Sequence, residues 1–228
     1  MNILDTPSPN HDQRDRAIDM VILHYTGMMS GAAALDRLRD KTAKVSAHYL
    51  VEENGEIYQL VPEARRAWHA GVGSWRGEID INARSIGIEI VNPGHEFGYR
   101  DFPDCQIDGV ISLLRAITKR HAIAPTHVLG HSDIAPRRKE DPGEKFPWAR
   151  LAKEGLAIAP FEGAPDSALD YHDALEALIV IGYDAPPGDH AAALLAFQRR
   201  FCPQALGQGF DGLTKAALKT IALAYRRE

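Results

Sequence analysis

The chain has 228 residues, of which 45% are hydrophobic and 25% are charged, so it can bury the core of one medium domain, or of one plus a small companion. Its 26 basic and 31 acidic residues give a formal charge of −5, which argues against a surface that binds nucleic acid or an anionic membrane. The two cysteines, Cys105 and Cys202, lie far apart and can form neither a disulfide framework nor a CxxC metal site. The sequence gives no indication of an oligomeric state.

The opening residues, MNILDTPSPNHDQRD, contain no apolar segment of the kind found in a secretory signal. No stretch of the chain approaches the length of a membrane-spanning helix. We therefore expect a cytoplasmic protein, with the periplasm as the alternative if an export signal has been trimmed from this chain.

Apolar runs and turn signals predict strands and helices in alternation over the first two thirds of the chain. We expect a strand at 18–23 (IDMVIL), two strands within 46–61 around Asn54-Gly55, and a strand at 86–91 (IGIEIV). A helix should begin at Asp104, which can cap it, and run to about Lys119, and the apolar run THVLG follows. The segment PWARLAKEG predicts a further helix with Pro147 in its first turn. This order indicates an α/β domain with a central mixed β-sheet flanked by helices.

The composition changes near residue 158. We expect an α/β domain over residues 1–158, a linker rich in proline and glycine over 159–167, and a small all-α domain over 168–228. Three amphipathic patterns predict the helices of this second domain: ALDYHDALEALIVIGY, DHAAALLAFQRRF and DGLTKAALKTIALAY.

Two histidines and a carboxylate stand at a strand end or in stiffened loops, where side chains can be aimed at a ligand. These are His24, which follows the first predicted strand, and His131 and Asp141 of the segment GHSDIAPRRKEDPG. Pro142 favours an extended conformation at Asp141, so Lys139 and Asp141 should share a face. Taken singly, each residue also fits an ordinary surface histidine or a turn-forming aspartate.

Glu89 interrupts the apolar run IGIEIV. A buried carboxylate costs several kcal/mol unless it is paired. It is therefore either a structural ion-pair partner within the sheet or a group whose pKa is adjusted for proton transfer. Lys139 could likewise face an oxyanion or be a solvated loop residue.

Five segments together resemble the zinc-dependent N-acetylmuramoyl-L-alanine amidases of the amidase-2 group, which are relatives of phage amidase lysozymes and peptidoglycan recognition proteins. They are VILHYT, SAHYLV, RAWHAGVGSW, NARSIGIEI and GHSDIAPRRKEDPG, and the resemblance covers about residues 15 to 155. It implies that His24, His131 and Asp141 hold one zinc ion, and that Glu89 and Lys139 carry the chemistry.

The implied reaction is hydrolysis of the amide bond between N-acetylmuramic acid and L-alanine of the peptidoglycan stem peptide. Three protein ligands leave one zinc position open, as in catalytic rather than structural sites. Glu89 would act as general base and then general acid, and Lys139 would help to stabilise the oxyanion. Intact wall, released muropeptides and 1,6-anhydro-muropeptides all contain the same bond, so the sequence leaves the partner among these fragments open.

The glycine-rich segment 66–77 is the expected wall of the substrate site. The predicted substrate-binding residues are His69, Ala70, Trp75 and Asn82, and a purely structural role is the alternative for each.

The last domain resembles, more loosely, a three-helix peptidoglycan-binding module. The resemblance rests on the segments ALEALIVIGY, AFQRRF and DGLTKAAL. Binding of the wall and packing against the catalytic domain are both open as its role.

Two rival interpretations remain. A set of two histidines and one carboxylate also describes non-haem iron enzymes, although those usually place the first histidine and the carboxylate two residues apart. A recognition protein that binds wall fragments without cleaving them is the other, but such relatives typically lack a metal ligand, and here all three positions are filled.

Overall fold

The computed structural model describes residues 2–186 and 188–226. In chain order the strands are β1 (Ile3–Asp5), β2 (His11–Gln13), β3 (Met20–Tyr25), β4 (Tyr49–Val51), β5 (Ile57–Gln59), β6 (Arg65–Ala67), β7 (Ser74–Trp75), β8 (Glu78–Ile79), β9 (Ser85–Ile90) and β10 (Val128–Gly130). The α-helices are α1 (Gly31–Arg39), α2 (Ile81–Arg84), α3 (Gly94–Phe97), α4 (Asp104–His121), α5 (His131–Ile134), α6 (Trp148–Lys153), α7 (Tyr171–Ile181), α8 (Ala191–Phe201) and α9 (Gly212–Tyr225).

A six-stranded sheet forms the centre of the protein, in the order β1-β5-β4-β9-β3-β10. Strands β4 and β5 pair antiparallel through the predicted turn at Asn54-Gly55, and the other neighbouring strands pair in parallel. The predicted mixed sheet flanked by helices is therefore confirmed. Among the described residues, no helix is both long and apolar enough to cross a bilayer.

Alternation along β3 divides the core between the two faces of the sheet. Val21 and Leu23 pack in a cluster with residues of α4 and α6. Met20 and Ile22 point to the other face, where they share a cluster with residues of α7, α8 and α9. The three helices predicted after residue 168 are thus present and pack on one face of the sheet, while the predicted domain boundaries stay predictions.

Several element ends differ from those expected. Strand β3 continues to Tyr25, so His24 lies inside the strand rather than after it. Pro103, and not Asp104, occupies the N-cap position of α4, and no side chain caps the helix there. The carboxylate of Asp104 accepts a hydrogen bond of 2.7 Å from Arg150. Pro147 occupies the position just before α6. The short strands β1 and β2 were not predicted, since three residues are too few to show alternation.

Candidate active site

Three potential metal ligands converge at the carboxyl ends of two neighbouring parallel strands. His24 lies near the end of β3, and His131 directly follows β10, which pairs with β3. Asp141 arrives from the loop after α5. Nδ1 of His24 lies 2.9 Å from Nδ1 of His131 and 3.1 Å from Oδ2 of Asp141. Nδ1 of His131 lies 3.0 Å from the same oxygen of Asp141. All three residues are buried.

This arrangement suits a cation better than it suits hydrogen bonds. One proton cannot satisfy three mutually close acceptor atoms, and two ring nitrogens that both lack hydrogen have no reason to approach each other. Ligands bonded at 2.0–2.1 Å in a tetrahedral zinc site lie about 3.3 Å from one another, slightly farther than the separations found here. Two imidazoles and one carboxylate are also the donor types of catalytic zinc sites. The predicted ligand set therefore fits a metal ion.

A chain of hydrogen bonds fixes which nitrogen of His24 carries its proton. The hydroxyl of Ser85 donates to the carbonyl of Ile81 at 2.6 Å, so it can accept from Nε2 of His69 at 3.2 Å. Nδ1 of His69 is then unprotonated and accepts from Nε2 of His24 at 3.0 Å. The lone pair on Nδ1 of His24 therefore faces the site, as a metal ligand requires.

His131 is oriented in the same way by the backbone. Its Nε2 donates to the carbonyl of Ala70 at 2.9 Å, which leaves the lone pair of Nδ1 directed at Asp141 and His24. Both histidines thus present Nδ1 to the same point. Outer hydrogen bonds of this type fix the tautomer and ring orientation of metal-binding histidines.

Burial and charge adjust the titration of the ligands. Burial, followed by the charge of His131, lowers the pKa of His24 to about 4, so its ring is neutral near pH 7. Burial alone would raise the pKa of Asp141, but the charges and hydrogen bonds of His131 and His24 outweigh it and hold that pKa well below its usual range. At neutral pH the site therefore offers one neutral imidazole and one carboxylate in the states that bind metal.

Strand β9 contributes to this centre through the sheet face that also carries Met20 and Ile22 of β3. Ser85, Gly87 and Glu89 alternate on that face. Ser85 holds His69, and a Cβ at Gly87 would lie 2.3 Å from the ring of His69, so only glycine leaves room for that ring. Glu89 pairs in register with His24 on β3, which places the two side chains next to each other.

Glu89 is partly exposed to the cleft, and its Oε2 has no hydrogen-bond partner among the described residues. Desolvation, followed by the charge of Asp141, raises the pKa of Glu89 well above its usual value, while Lys139 acts in the opposite direction. Within the described part of the chain, this oxygen therefore lacks the pairing partner that a structural role would require. This position is suited to a group that exchanges protons with a ligand.

The cleft above these residues has a volume of about 560 Å³ and is lined by both predicted catalytic residues, the three predicted metal ligands and His69. Further lining residues come from the loop after β3, from α1 and from α3. Trp68 also lines it. Its volume lies within the range of small-molecule sites.

The other predicted substrate-binding residues lie behind the cleft wall. Ala70 is fully buried, and its carbonyl is the acceptor for His131. The side-chain oxygen of Asn82 accepts hydrogen bonds from the backbone N–H groups of His69 and Ala70, at 3.1 and 2.8 Å. Trp75 is buried against Tyr183 and Tyr225, at ring-centroid distances of 5.2 and 6.2 Å. Among the described residues that line the cleft, His69 is the one from this predicted group.

Sequence reasoning missed the residues that hold the ligands. Ser85 is the last member of the series of hydrogen bonds that orients His24. The carboxylate of Asp133 accepts a hydrogen bond from the backbone N–H of Gly130, the residue before His131. A carboxylate two residues after a predicted ligand, in GHSDIAP, was a usable signal for Asp133. No pattern local to Ser85 connects it with His69, which is 16 residues away.

Comparison with known proteins gives consistent results. The family model described as N-acetylmuramoyl-L-alanine amidase matches residues 14–144. The chain is 36% identical to the N-acetylmuramoyl-L-alanine amidase AmiD of Escherichia coli K12, over 92% of this chain and 84% of that protein. The structure of AmiD in complex with the substrate anhydro-N-acetylmuramic acid-L-Ala-D-gamma-Glu-L-Lys superposes with a TM-score of 0.82 and covers 92% of this chain and 91% of AmiD.

Two further relatives differ in how much of the chain they match. AmpDh3 from Pseudomonas aeruginosa, solved in complex with anhydromuramic pentapeptide, is 32% identical with a TM-score of 0.80, over 96% of this chain and 95% of its own. The 1,6-anhydro-N-acetylmuramyl-L-alanine amidase AmpD of Citrobacter freundii is 34% identical, but over 64% of this chain and 86% of its own length.

Proposed function

The chain belongs to the N-acetylmuramoyl-L-alanine amidase family, and we propose on this premise that it uses one zinc ion to cleave 1,6-anhydro-muropeptides. The bond cleaved is the amide between the lactyl group of the muramic acid and L-alanine. The observation that supports this most directly is the convergence of His24, His131 and Asp141 within about 3 Å of one another, beside Glu89.

His24, His131 and Asp141 would hold the zinc ion through Nδ1, Nδ1 and Oδ2. When bound there, zinc supplies Lewis acidity, which polarises an amide carbonyl and makes water more acidic. His69 and the Ala70 carbonyl keep both imidazoles in the tautomer that leaves Nδ1 free. The protein thus prepares the ligands before any ion binds.

Glu89 is the general base and then the general acid in this proposal. It accepts a proton from the attacking water and transfers it to the leaving amine of L-alanine. Burial, followed by the charge of Asp141, raises the pKa of Glu89, which favours uptake of a proton, and a divalent cation beside it would act in the opposite direction. Lys139, which also lines the cleft, provides positive charge for the oxyanion of the tetrahedral intermediate.

The substrate class is proposed from the relatives and from the cleft. AmiD was solved with an anhydro-muramyl tripeptide, and AmpDh3 with an anhydromuramic pentapeptide. A cleft of about 560 Å³ suits a small fragment of this type. Soluble anhydro-fragments arise when the wall is degraded, so the proposed role is cell-wall turnover or recycling.

The decisive experiment uses the purified full chain and two substrates, an anhydro-muramyl tripeptide and whole sacculi. We expect mass spectrometry to show free tripeptide and anhydro-N-acetylmuramic acid from the soluble substrate, with faster turnover than on sacculi. Chelation should abolish the reaction, and added zinc should restore it. Cleavage of sacculi with no cleavage of the tripeptide would reject the proposed substrate class.

Metal content separates this proposal from the rivals. Elemental analysis should find about one zinc per chain, whereas iron in its place would favour a non-haem iron enzyme. Binding of anhydro-muropeptide without turnover, in the zinc-loaded protein, would indicate a recognition protein.

We separately predict that the protein is located in the cytoplasm. Cys105, which is exposed, and Cys202, which is buried, are both free thiols, as is usual in that compartment. Fractionation of cells that carry the native gene tests it, and recovery from the periplasm would contradict it.

A further inference from the structure

Helix α8 carries two consecutive arginines, Arg199 and Arg200, that reach into the segment bearing two of the proposed metal ligands. We call residues 131–144 the ligand segment, since it begins with His131 and contains Asp141. Both arginines are buried in spite of their charge, at 8% and 3% exposure. Buried charges are retained only where they are paired, so the partners of these two residues indicate what the helix does.

Arg200 pairs with Asp133 at the start of the ligand segment. Its Nη1 lies 2.5 Å from Oδ2 of Asp133, and its Nη2 donates to the carbonyl of Val128 in β10 at 2.9 Å. The hydroxyl of Tyr183 donates to the other oxygen of Asp133 at 2.6 Å. The same Asp133 accepts the backbone N–H of Gly130 at 2.7 Å. The backbone just before His131 and the carboxylate of Asp133 just after it are therefore tied to α8.

Arg199 contacts the opposite end of the ligand segment. Its Nη2 lies 3.1 Å from Oε1 of Glu140, and its Nε lies 3.6 Å from Oε2 of Glu144. These two glutamates flank Asp141, and Glu140 also follows Lys139 directly. Neighbouring residues of an α-helix point about 100° apart, which lets adjacent arginines reach the two ends of one loop.

Exposed ion pairs also join the ligand segment to the connection between α7 and α8. Arg137 pairs with Asp184 and Asp189, both at 2.9 Å, in the connection between α7 and α8. These groups are well exposed, and exposed pairs contribute little. The buried pairs of α8 are therefore the ones that can fix the segment.

We propose that α8 is a positioning element of the metal centre, with Arg200 acting through Asp133 on His131 and Arg199 acting through Glu140 and Glu144 on Asp141. The inference rests on the proposed function, because it assumes that His131 and Asp141 bind metal. It gives the C-terminal helices a role in the reaction centre that does not require them to bind the cell wall. The AmpD match, which extends over 64% of this chain, shows that relatives differ in how much of the chain they share.

The test measures metal affinity rather than turnover alone. The variants are Arg200→Gln, Arg200→Lys, Asp133→Asn and Arg199→Gln in the full chain, and the matched control is Arg226→Gln. Arg226 forms an exposed pair of 3.9 Å with Glu176, distant in sequence from the ligand segment. Co²⁺ replaces zinc as a probe, its dissociation constant is measured by competition with a chelator, and its visible spectrum reports the coordination geometry.

We expect Arg200→Gln and Asp133→Asn to bind Co²⁺ about 10- to 100-fold more weakly, the range for lost outer-shell partners, with a changed visible spectrum. Arg199→Gln should weaken binding less, because Glu140 is half exposed and its pair is partly solvated. Arg200→Lys should recover part of the loss, and Arg226→Gln should bind as the parent does.

Thermal unfolding separates positioning from general stability. If Arg200→Gln fails to fold, Arg199→Gln and Arg200→Lys decide the question. Folded variants that lower the melting temperature but keep the parental Co²⁺ affinity and spectrum would overturn the inference. A parent protein that binds Co²⁺ but cleaves no muropeptide would reject the proposed function, while the affinities of the variants would still decide the role of α8.

Discussion

Replacing Trp75 distinguishes its predicted role as a substrate-binding residue from the role that its surroundings indicate. Trp75 is 2% exposed and makes edge-to-face contacts with Tyr183 and Tyr225, so it joins the glycine-rich segment to the C-terminal helices. A Cβ at Gly182 would lie 2.6 Å from its ring, which shows how closely the backbone of that turn approaches. Truncating such a side chain to alanine costs about 3–5 kcal/mol.

For a chain of this length, that loss corresponds to a fall of about 6 to 20 °C in melting temperature. Trp75→Phe should cost much less than Trp75→Ala, because Nε1 of Trp75 finds no hydrogen-bond partner among the described residues and nothing polar is lost with it. Calorimetry or thermal circular dichroism measures both variants. Below the unfolding transition, KM for the anhydro-tripeptide should change little.

Trp68→Ala is the matched control. Trp68 lines the cleft and donates a hydrogen bond of 2.7 Å to Asp12 near the surface, so its loss should affect KM more than stability. The reasoning is refuted if Trp75→Ala keeps the parental melting temperature and raises KM. In that case Trp75 contacts substrate, as the sequence predicted.

Other perturbations test the base, the buried histidines and the C-terminal helices. Glu89→Gln should retain metal and lose about 10²–10⁴-fold in kcat, and near-parental turnover would make Glu89 a structural residue only. Burial, followed by the charge of Arg14, lowers the pKa of His48 to about 3, whereas the unfolded chain takes up that proton near pH 6.5. The contribution of neutral His48 to the free energy of unfolding is therefore complete above pH 6.5 and is lost as pH falls toward 3. At pH 5 the free energy of unfolding should be about 2 kcal/mol lower than at pH 7 from this group. Urea unfolding at pH 7 and pH 5 measures this difference, which His48→Gln should reduce. Deleting residues 160–228 should give an insoluble or inactive protein, because Met20 and Ile22 would lose the helices that cover them; a soluble, active remainder would contradict this.

The sequence by itself predicted the residues of the candidate site, and it did so chiefly through the resemblance of five segments to the amidase-2 group. His24, Glu89 and His131 are recognisable because each follows or interrupts a short apolar strand, and strand ends of a parallel sheet meet at one edge. Asp141 is recognisable because the following proline restricts it. These are local signals, carried by neighbours within a few residues. The alternation of strands and helices and the three helices after residue 168 followed from periodicity for the same reason.

The tertiary structure decided how that chemistry is held in place. The tautomer of His24 depends on Ser85 through His69. Asp133, two residues after His131, pairs with Arg200, which lies 67 positions farther along the chain. The orientation of the glycine-rich segment decides whether Trp75 lines the cleft or packs against the C-terminal helices, and in the structure it packs against Tyr183 and Tyr225. Such contacts join residues that no spacing rule connects, because the energy that selects them comes from burial in a core shared between distant parts of the chain.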